Sequence, residues 1–352
     1  VSVALEPAYN LLHSLFLLSQ ADQISGLHDW VYHTVQAMSS EERQTNRLVL
    51  TGFYYAIEPE HGWPSFPAYV DALKRMDAVA LRDRLMARYA CCSPSIGWDA
   101  AEITQGVDWS AALHSVDAYL NFLQERFSQD KLDIDLEGRA YQYVIDPPAM
   151  QALIVDHLWR MWERYLATEW NRTRPLLAEA VRSFQQVDLN GMERLEAARW
   201  ITGRTFEEKK WERTLGAAER LIFVPNAHVG PYLGKYHANK ALVVVFGARS
   251  PKGARGVASD LSRAEIVVRL NALADDTRLR ILRLVAENGE LCAQDVIQGM
   301  DLTQSTASRH LSQLTATGYL SERRGDGGKY YALNPERVED VLQAVAAFLL
   351  AH

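Results

Sequence analysis

Cysteine is scarce: three residues in 352, two of them adjacent at Cys91 and Cys92. A disulfide framework is excluded, and the usage suits a reducing cytoplasm. Long hydrophobic runs are also missing. The apolar stretch 11–18 is too short to span a bilayer and follows Glu6 rather than a basic segment, so it reads as a core helix. The expectation is a cytoplasmic protein with no membrane partner. A basic excess is lacking too: 37 Lys and Arg stand against 44 Asp and Glu, a net charge of -7. Any surface for nucleic acid must therefore be a local patch. There is no Gly-rich phosphate loop, no Gly-x-Ser-x-Gly elbow and no His-Glu-x-x-His helix, so the usual signals of an enzyme are missing. The expectation is that the chain is not an enzyme.

Tryptophan is absent from the last part of the chain: all nine fall between Trp30 and Trp211. Between the two compositions lies 247–259, rich in Gly and small residues and free of acids, which reads as a linker. The expected organisation is a domain over 1–247 for effector binding or dimerisation, a linker over 248–260, and a second domain over 261–352. In the first, runs at 8–19, 41–57, 69–89, 150–168 and 175–187 carry apolar residues at helical spacing. The β-branched runs 220–225 and 241–246 predict two or three antiparallel strands near its end. The fold class is mainly α: a large helical N-terminal domain ending in a small β element, plus a C-terminal winged helix-turn-helix.

The second domain carries the functional signal. Ser262 and Glu265 are spaced as a capping box for a helix starting at Arg263, and a further helix covers 277–287, stopped by Asn288 and Gly289. Residues 291–299 read as a short helix, 300–303 as a turn, and 304–317 as a helix entered through Thr303 as N-cap. In that last helix Thr306, Ala307, Leu311 and Leu314 are expected among the inward positions, while Gln304, Ser305, Ser308, Arg309 and Gln313 are expected outside. Short hydroxyl and amide side chains at a helix N-terminus, with an Arg able to fork onto a base, suit DNA readout. Two alternating strands then flank the turn Gly325-Asp326-Gly327-Gly328, a wing with a basic flank. The expected DNA-facing set is Gln304, Ser305, Thr306, Ser308, Arg309 and His310 on the helix, with Arg323, Arg324, Lys329 and Tyr330 on the wing.

The segments 272–282, 290–292 and 304–311 and the Gly-Gly-Lys-Tyr-Tyr wing occur in an order that resembles an ArsR/SmtB-type repressor over 262–352. The resemblance implies a repressor acting as a homodimer on double-stranded DNA, built on the first and last helices of this domain. Independently, Val338, Val341, Leu342, Val345, Phe348 and Leu349 form an apolar stripe at helical spacing. Metal sensing is not expected: a Cys-x-Cys pair common in that family is reduced here to Cys292-Ala293-Gln294, too few ligands for a soft-metal site, and Cys292 reads as a small buried hydrophobe. No cofactor or metal is expected. The vicinal cysteines read as inert, His28 and His33 as polar edge residues, and Asp133, Asp135 and Glu137 as a solvated stretch in strand or loop.

Aromatic density is distinctive in 1–247, including Phe53-Tyr54-Tyr55, Trp159, Trp162 and Tyr165. Individually these read as core, yet a domain of that size predicts that it binds a small organic effector or a partner and biases the DNA-binding geometry. The segment 223–232 reads as a structured loop. Two competing readings are a winged-helix protein-interaction module and an enzyme fused to a regulator.

Overall fold

The computed structural model describes residues 1–91, 108–127, 132–189, 191–204, 206, 208–238, 240–249, 263–325 and 328–350, with backbone only at 208–210, 264, 324 and 325. Helices α1 (Pro7–Gln20), α2 (Asp29–Ala37), α3 (Ser40–Arg47), α4 (Phe66–Arg75), α5 (Ala78–Ala90), α6 (Val116–Gln124), α7 (Ile134–Val144) and α8 (Pro147–Met161) build the first body. Their starts follow from side-chain caps: Ser39, Ser65, Asp77, Ser115, Asp133 and Asp146 each accept a backbone N–H of the first turn. The run 69–89 is split between α4 and α5 because Asp77 caps a new helix. Conversely, 150–168 and 175–187 are not separate. A π-helical turn, Trp162–Leu166, joins α8 to α9 (Ala167–Gln185), and Pro175 sits inside α9.

After α9 come α10 (Arg194–Thr202) and α11 (Glu208–Gly216), then the strands. β1 (Ser2–Val3), β2 (Arg220–Asn226), β3 (Leu233–Ala238) and β4 (Ala241–Gly247) form a sheet in the order β1-β2-β4-β3. The antiparallel expectation holds only for β3 and β4; β2 pairs in parallel with β4, and β1 in parallel with β2. The cause is burial on both faces. Leu221, Phe223, Leu242, Val244 and Phe246 pack with Phe184 and Trp211, whereas Val224, Val243 and Val245 pack with Tyr9 of α1 and Tyr236. A parallel strand covered on both sides is apolar throughout.

The C-terminal part has its own core, in which Ala272, Ile281, Val285, Val296, Leu311, Leu314, Tyr319 and Val341 meet. Its order is α12 (Arg263–Leu273), α13 (Asp276–Asn288), β5 (Glu290–Cys292), α14 (Ala293–Met300), α15 (Gln304–Thr317), β6 (Leu320–Gly325), β7 (Gly328–Leu333) and α16 (Pro335–Leu350). The helix expected from Leu291 starts two residues later, because Glu290–Cys292 pairs with β7 as the third strand of the wing sheet. Ser262 lies outside the described residues. Among those described, no helix is long and apolar enough to cross a membrane.

Candidate nucleic-acid interface

The turn between α14 and α15 is built by two residues. Asp301 ends α14 in the left-handed region (φ 53°), and Thr303 Oγ1 accepts the Thr306 backbone N–H at 3.3 Å. Below it, Asp275 caps α13 by accepting the Arg278 N–H at 2.9 Å. Leu311 and Leu314 lock α15 into the core and Ala307 is buried beside them, which leaves Gln304, Ser305 and Ser308 exposed on its first turns. Thr306 and Arg309 are half-buried, and His310 is buried. Burial pulls the His310 imidazole below its ordinary value, partly offset by Asp275.

Gln313, expected outside, is 2 % exposed. Its Oε1 accepts from Ser25 Oγ at 2.5 Å, and the glycine at 26 leaves room for its amide. The Arg309 charge is felt by Tyr32 and by Arg278. The C-terminal half of α15 therefore lies against the loop between α1 and α2, while its N-terminal turns stay open. No sequence signal announces this contact, which joins residues 288 positions apart.

The wing is the hairpin of β6 and β7, closed at Gly325 opposite Gly328. Arg323 Nε donates to Glu290 Oε1 at 2.7 Å, and its guanidinium stands 4.8 Å from the Tyr330 ring centre. Lys329 Nζ is 2.9 Å from Glu322 Oε1. Both cations are solvent-accessible, so exchanging these carboxylates for phosphates costs little. The Arg324 side chain lies outside the described residues. Cys292 is half-buried at the junction of β5 and α14, not a core hydrophobe, and its N–H donates to Asp295 Oδ2 at 2.8 Å.

A second polar cluster lies inside the N-terminal part. Ser14 Oγ is 2.8 Å from His228 Nδ1, and His228 Nε2 is 2.8 Å from Glu169 Oε1. The order copies a nucleophile, base and acid relay. Yet Ser14 has no exposed surface and already accepts from Asn226 Nδ2 at 3.0 Å, so a substrate carbonyl cannot reach it. The cluster is a tie between α1, α9 and the loop after β2. Glu169 is held down at about 2: burial pushes it up, but the hydrogen bonds from His228 and Arg172 outweigh that. Burial keeps His228 below its ordinary value, partly offset by Glu169. Cys91 is half-buried at the end of α5, and Cys92 lies outside the described residues. His28 caps α2, where its Nδ1 accepts the Trp30 N–H at 3.1 Å. Among the described residues no group of three or more His, Cys, Asp or Glu could hold a metal ion.

A strand-flanked trihelical core with an open helix N-terminus and a hairpin wing defines a winged helix-turn-helix DNA-binding domain. The profile described as bacterial regulatory protein, arsR family, matches residues 275–322. The arsenic resistance transcriptional regulator ArsR1 of Pseudomonas putida is 47% identical over 64 residues, 18% of this chain and 50% of that protein. An uncharacterized HTH-type transcriptional regulator of Methanocaldococcus jannaschii is 35% identical over 74 residues, 21% of this chain and 83% of that protein. Among solved structures, NolR from Sinorhizobium fredii is 32% identical and covers 25% of this chain and 93% of its own, with a TM-score of 0.21. The chain belongs to the arsR family through its C-terminal part. It spans about half the length of relatives such as ArsR1, and they leave its large N-terminal region unmatched.

Proposed function

We propose that the protein is a dimeric transcriptional regulator, a repressor in the manner of its relatives, that reads a roughly palindromic operator on double-stranded DNA. The observation that carries this reading is the free N-terminal turn of α15, with Gln304, Ser305 and Ser308 exposed beside a basic wing. In a dimer two such helices enter successive major grooves about 34 Å apart. Arg309 forks onto a base, and Arg323, Arg324 and Lys329 hold backbone phosphates. Residues 1–247 act as the regulatory domain, 248–260 as the linker and 261–352 as the reader.

Self-association is supported by apolar side chains left in water. Leu270 on α12, Leu279 on α13, and Leu342, Phe348, Leu349 and Leu350 on α16 are all exposed, Leu349 by 69% and Leu350 by 71%. Monomers seldom leave so apolar a helix face uncovered. Regulation is supported by the docking of Gln313 on Ser25: any ligand that alters the fit between the two parts alters access to α15.

Fluorescence anisotropy of the full-length chain on its own upstream DNA, across several salt concentrations and against a scrambled duplex, tests the reading. Specific, salt-sensitive binding as a dimer is expected. Equal or absent binding to both duplexes would favour a protein-interaction module. Arg309→Ala should relax sequence preference, whereas Lys329→Ala should weaken all sequences alike and reduce the salt slope by about 1. Equal losses on every sequence for both variants would refute that division of roles.

A further inference from the structure

Between the N-terminal part and the winged helix lies a cleft of about 1030 Å³. Its described aromatic lining is Phe206 and Tyr232, not the tryptophans and tyrosines that read as core in the sequence. Its charge is one-sided: among the described residues seven arginines and three carboxylates line it. Arg172, Arg323 and Arg337 are engaged by Glu169, Glu290 and Asp340, the last pair at 3.8 Å. Of the others, Arg249 and Arg269 are only 4% and 8% exposed, and both point at the one carboxylate of Glu265. Arg249 Nε is 3.2 Å from Glu265 Oε1, and Arg269 Nη2 is 3.9 Å from it.

One carboxylate does not satisfy two buried guanidiniums. Among the described residues, Nη1 of Arg249, Nη1 of Arg269 and Nε of Arg337 are buried without a hydrogen-bond partner. A buried guanidinium with an idle donor is costly unless something accepts from it. The backbone makes room for these groups. Gly203, at φ +66°, would put a Cβ 1.8 Å from Arg249 Nη1, and Gly318, at φ +84°, would put one 2.9 Å from Arg337 Nε. Burial also draws Arg204 and Arg269 down to about 10, with the neighbouring Arg337 and Arg249 charges adding to the effect at Arg269. Among polar neighbours such as Thr173, Asn226 and Asn271 the wall also carries an apolar patch: Leu176 and Val267, two of the exposed large hydrophobic residues, face the cleft with Phe206 and Tyr232.

We infer that this cleft is the binding site for an amphipathic organic anion, its carboxylate or phosphate head held by Arg249, Arg269, Arg204 and Arg337 and its apolar body lying on Leu176, Phe206 and Val267. The planar guanidinium fork matches either head group. As an effector site the cleft rests on the regulator reading, because Arg204 comes from the N-terminal part, Arg249 from the start of the linker just after β4, and Arg269 and Arg337 from the winged helix. An anion bridging them favours the interdomain arrangement in which all four converge.

The test is calorimetric titration of the full-length chain, without DNA, with decanoate, decyl phosphate and decanol, each below its aggregation threshold. One site per chain is expected for at least one of the two anions, with decanol at least tenfold weaker. The head group that binds tighter identifies the anion. Arg249→Gln and Arg204→Gln should each weaken the anion about tenfold or more and leave decanol unchanged, since a charge-assisted fork is lost. If thermal melting shows that Arg249→Gln no longer folds, Arg204→Gln and Arg337→Gln decide. Decanol binding as tightly as the anions, or folded variants binding them like the parent chain, would overturn the inference. Operator binding measured on the same preparation fails or succeeds independently, so loss of the regulator reading is distinguishable from loss of the anion site.

Discussion

The two parts of the chain treat their apolar surface in opposite ways. The N-terminal part buries nearly all of it: Leu11, Val49, Phe53, Leu85, Leu158 and Leu177 join one continuous core, and partly buried tryptophans pack around it. The winged helix, much the smaller, leaves in water seven of the eleven exposed large hydrophobic residues among those described: Val267, Leu270, Leu279, Leu342, Phe348, Leu349 and Leu350. The described residues of the larger body cover most of their apolar surface, whereas the smaller carries the exposed apolar faces on which the proposed dimer rests. The sharpest way to break the comparison is to charge α16. Phe348→Glu with Leu349→Glu should weaken self-association by more than about a thousandfold, as hydrophobic contacts worth roughly 2 kcal/mol each per protomer are replaced by buried charge. Sedimentation velocity should show a monomer, with operator binding lost. Val79→Glu, a charge on an exposed apolar position of the N-terminal part, should change neither. A double variant that stays dimeric would place the interface elsewhere.

The next largest effect tests whether the N-terminal body depends on its buried polar tie as much as on its apolar core. Asn226 Oδ1 accepts the N–H groups of His228 and Val229, while its Nδ2 donates toward Asn10 and Ser14. Asn226→Leu leaves several buried partners unsatisfied at once, and a loss of about 3 kcal/mol is expected. Thermal and urea unfolding should show the loss, with the oligomeric state unchanged. A variant as stable as the parent would mean that water or rearrangement satisfies these groups.

The contrast between the two parts also decides what the sequence makes legible. Helix α15 is readable from first residue to last because its signals are local: the Thr303 cap, the inward Ala307, Leu311 and Leu314, and Gly318 in the left-handed region after it. The sheet is less so. The run Ala-Leu-Val-Val-Val-Phe of β4 looks like a strand, but its partners are set by what covers its two faces, and β1 is too short to carry a pattern. The site divides in the same way. The reading face of α15 is visible in sequence, whereas the burial of Gln313 depends on Ser25 and Gly26, and the seven arginines of the cleft come from six separate elements or their flanking loops. Chain-distant contacts leave no spacing to read.

Glu137 shows the same limit on a smaller scale and supplies the mildest prediction. Its neighbourhood, Asp133 and Asp135, reads as solvated, but Asp133 is the N-cap of α7 and turns Leu136, Glu137, Ala140, Tyr141 and Val144 inward. Burial raises the Glu137 carboxyl to about 8, and the hydrogen bond from Tyr119 at 3.1 Å only partly counters it. The folded chain thus keeps a proton that the unfolded chain releases near pH 4.5. Stability from this group is complete below that pH and lost as pH rises through about 8. Warming the protein at pH 6 and pH 9 should show a lower melting temperature at the higher pH, by about 2–4 °C, for a loss on the order of 2 kcal/mol. Glu137→Gln, which keeps the shape and the acceptor for Tyr119 but cannot ionise, should flatten that difference. Glu169 has the opposite dependence: held at about 2, its contribution is present above pH 4.5 and disappears only as the pH falls through 2. An alkaline loss that survives in Glu137→Gln would move its origin to another buried group.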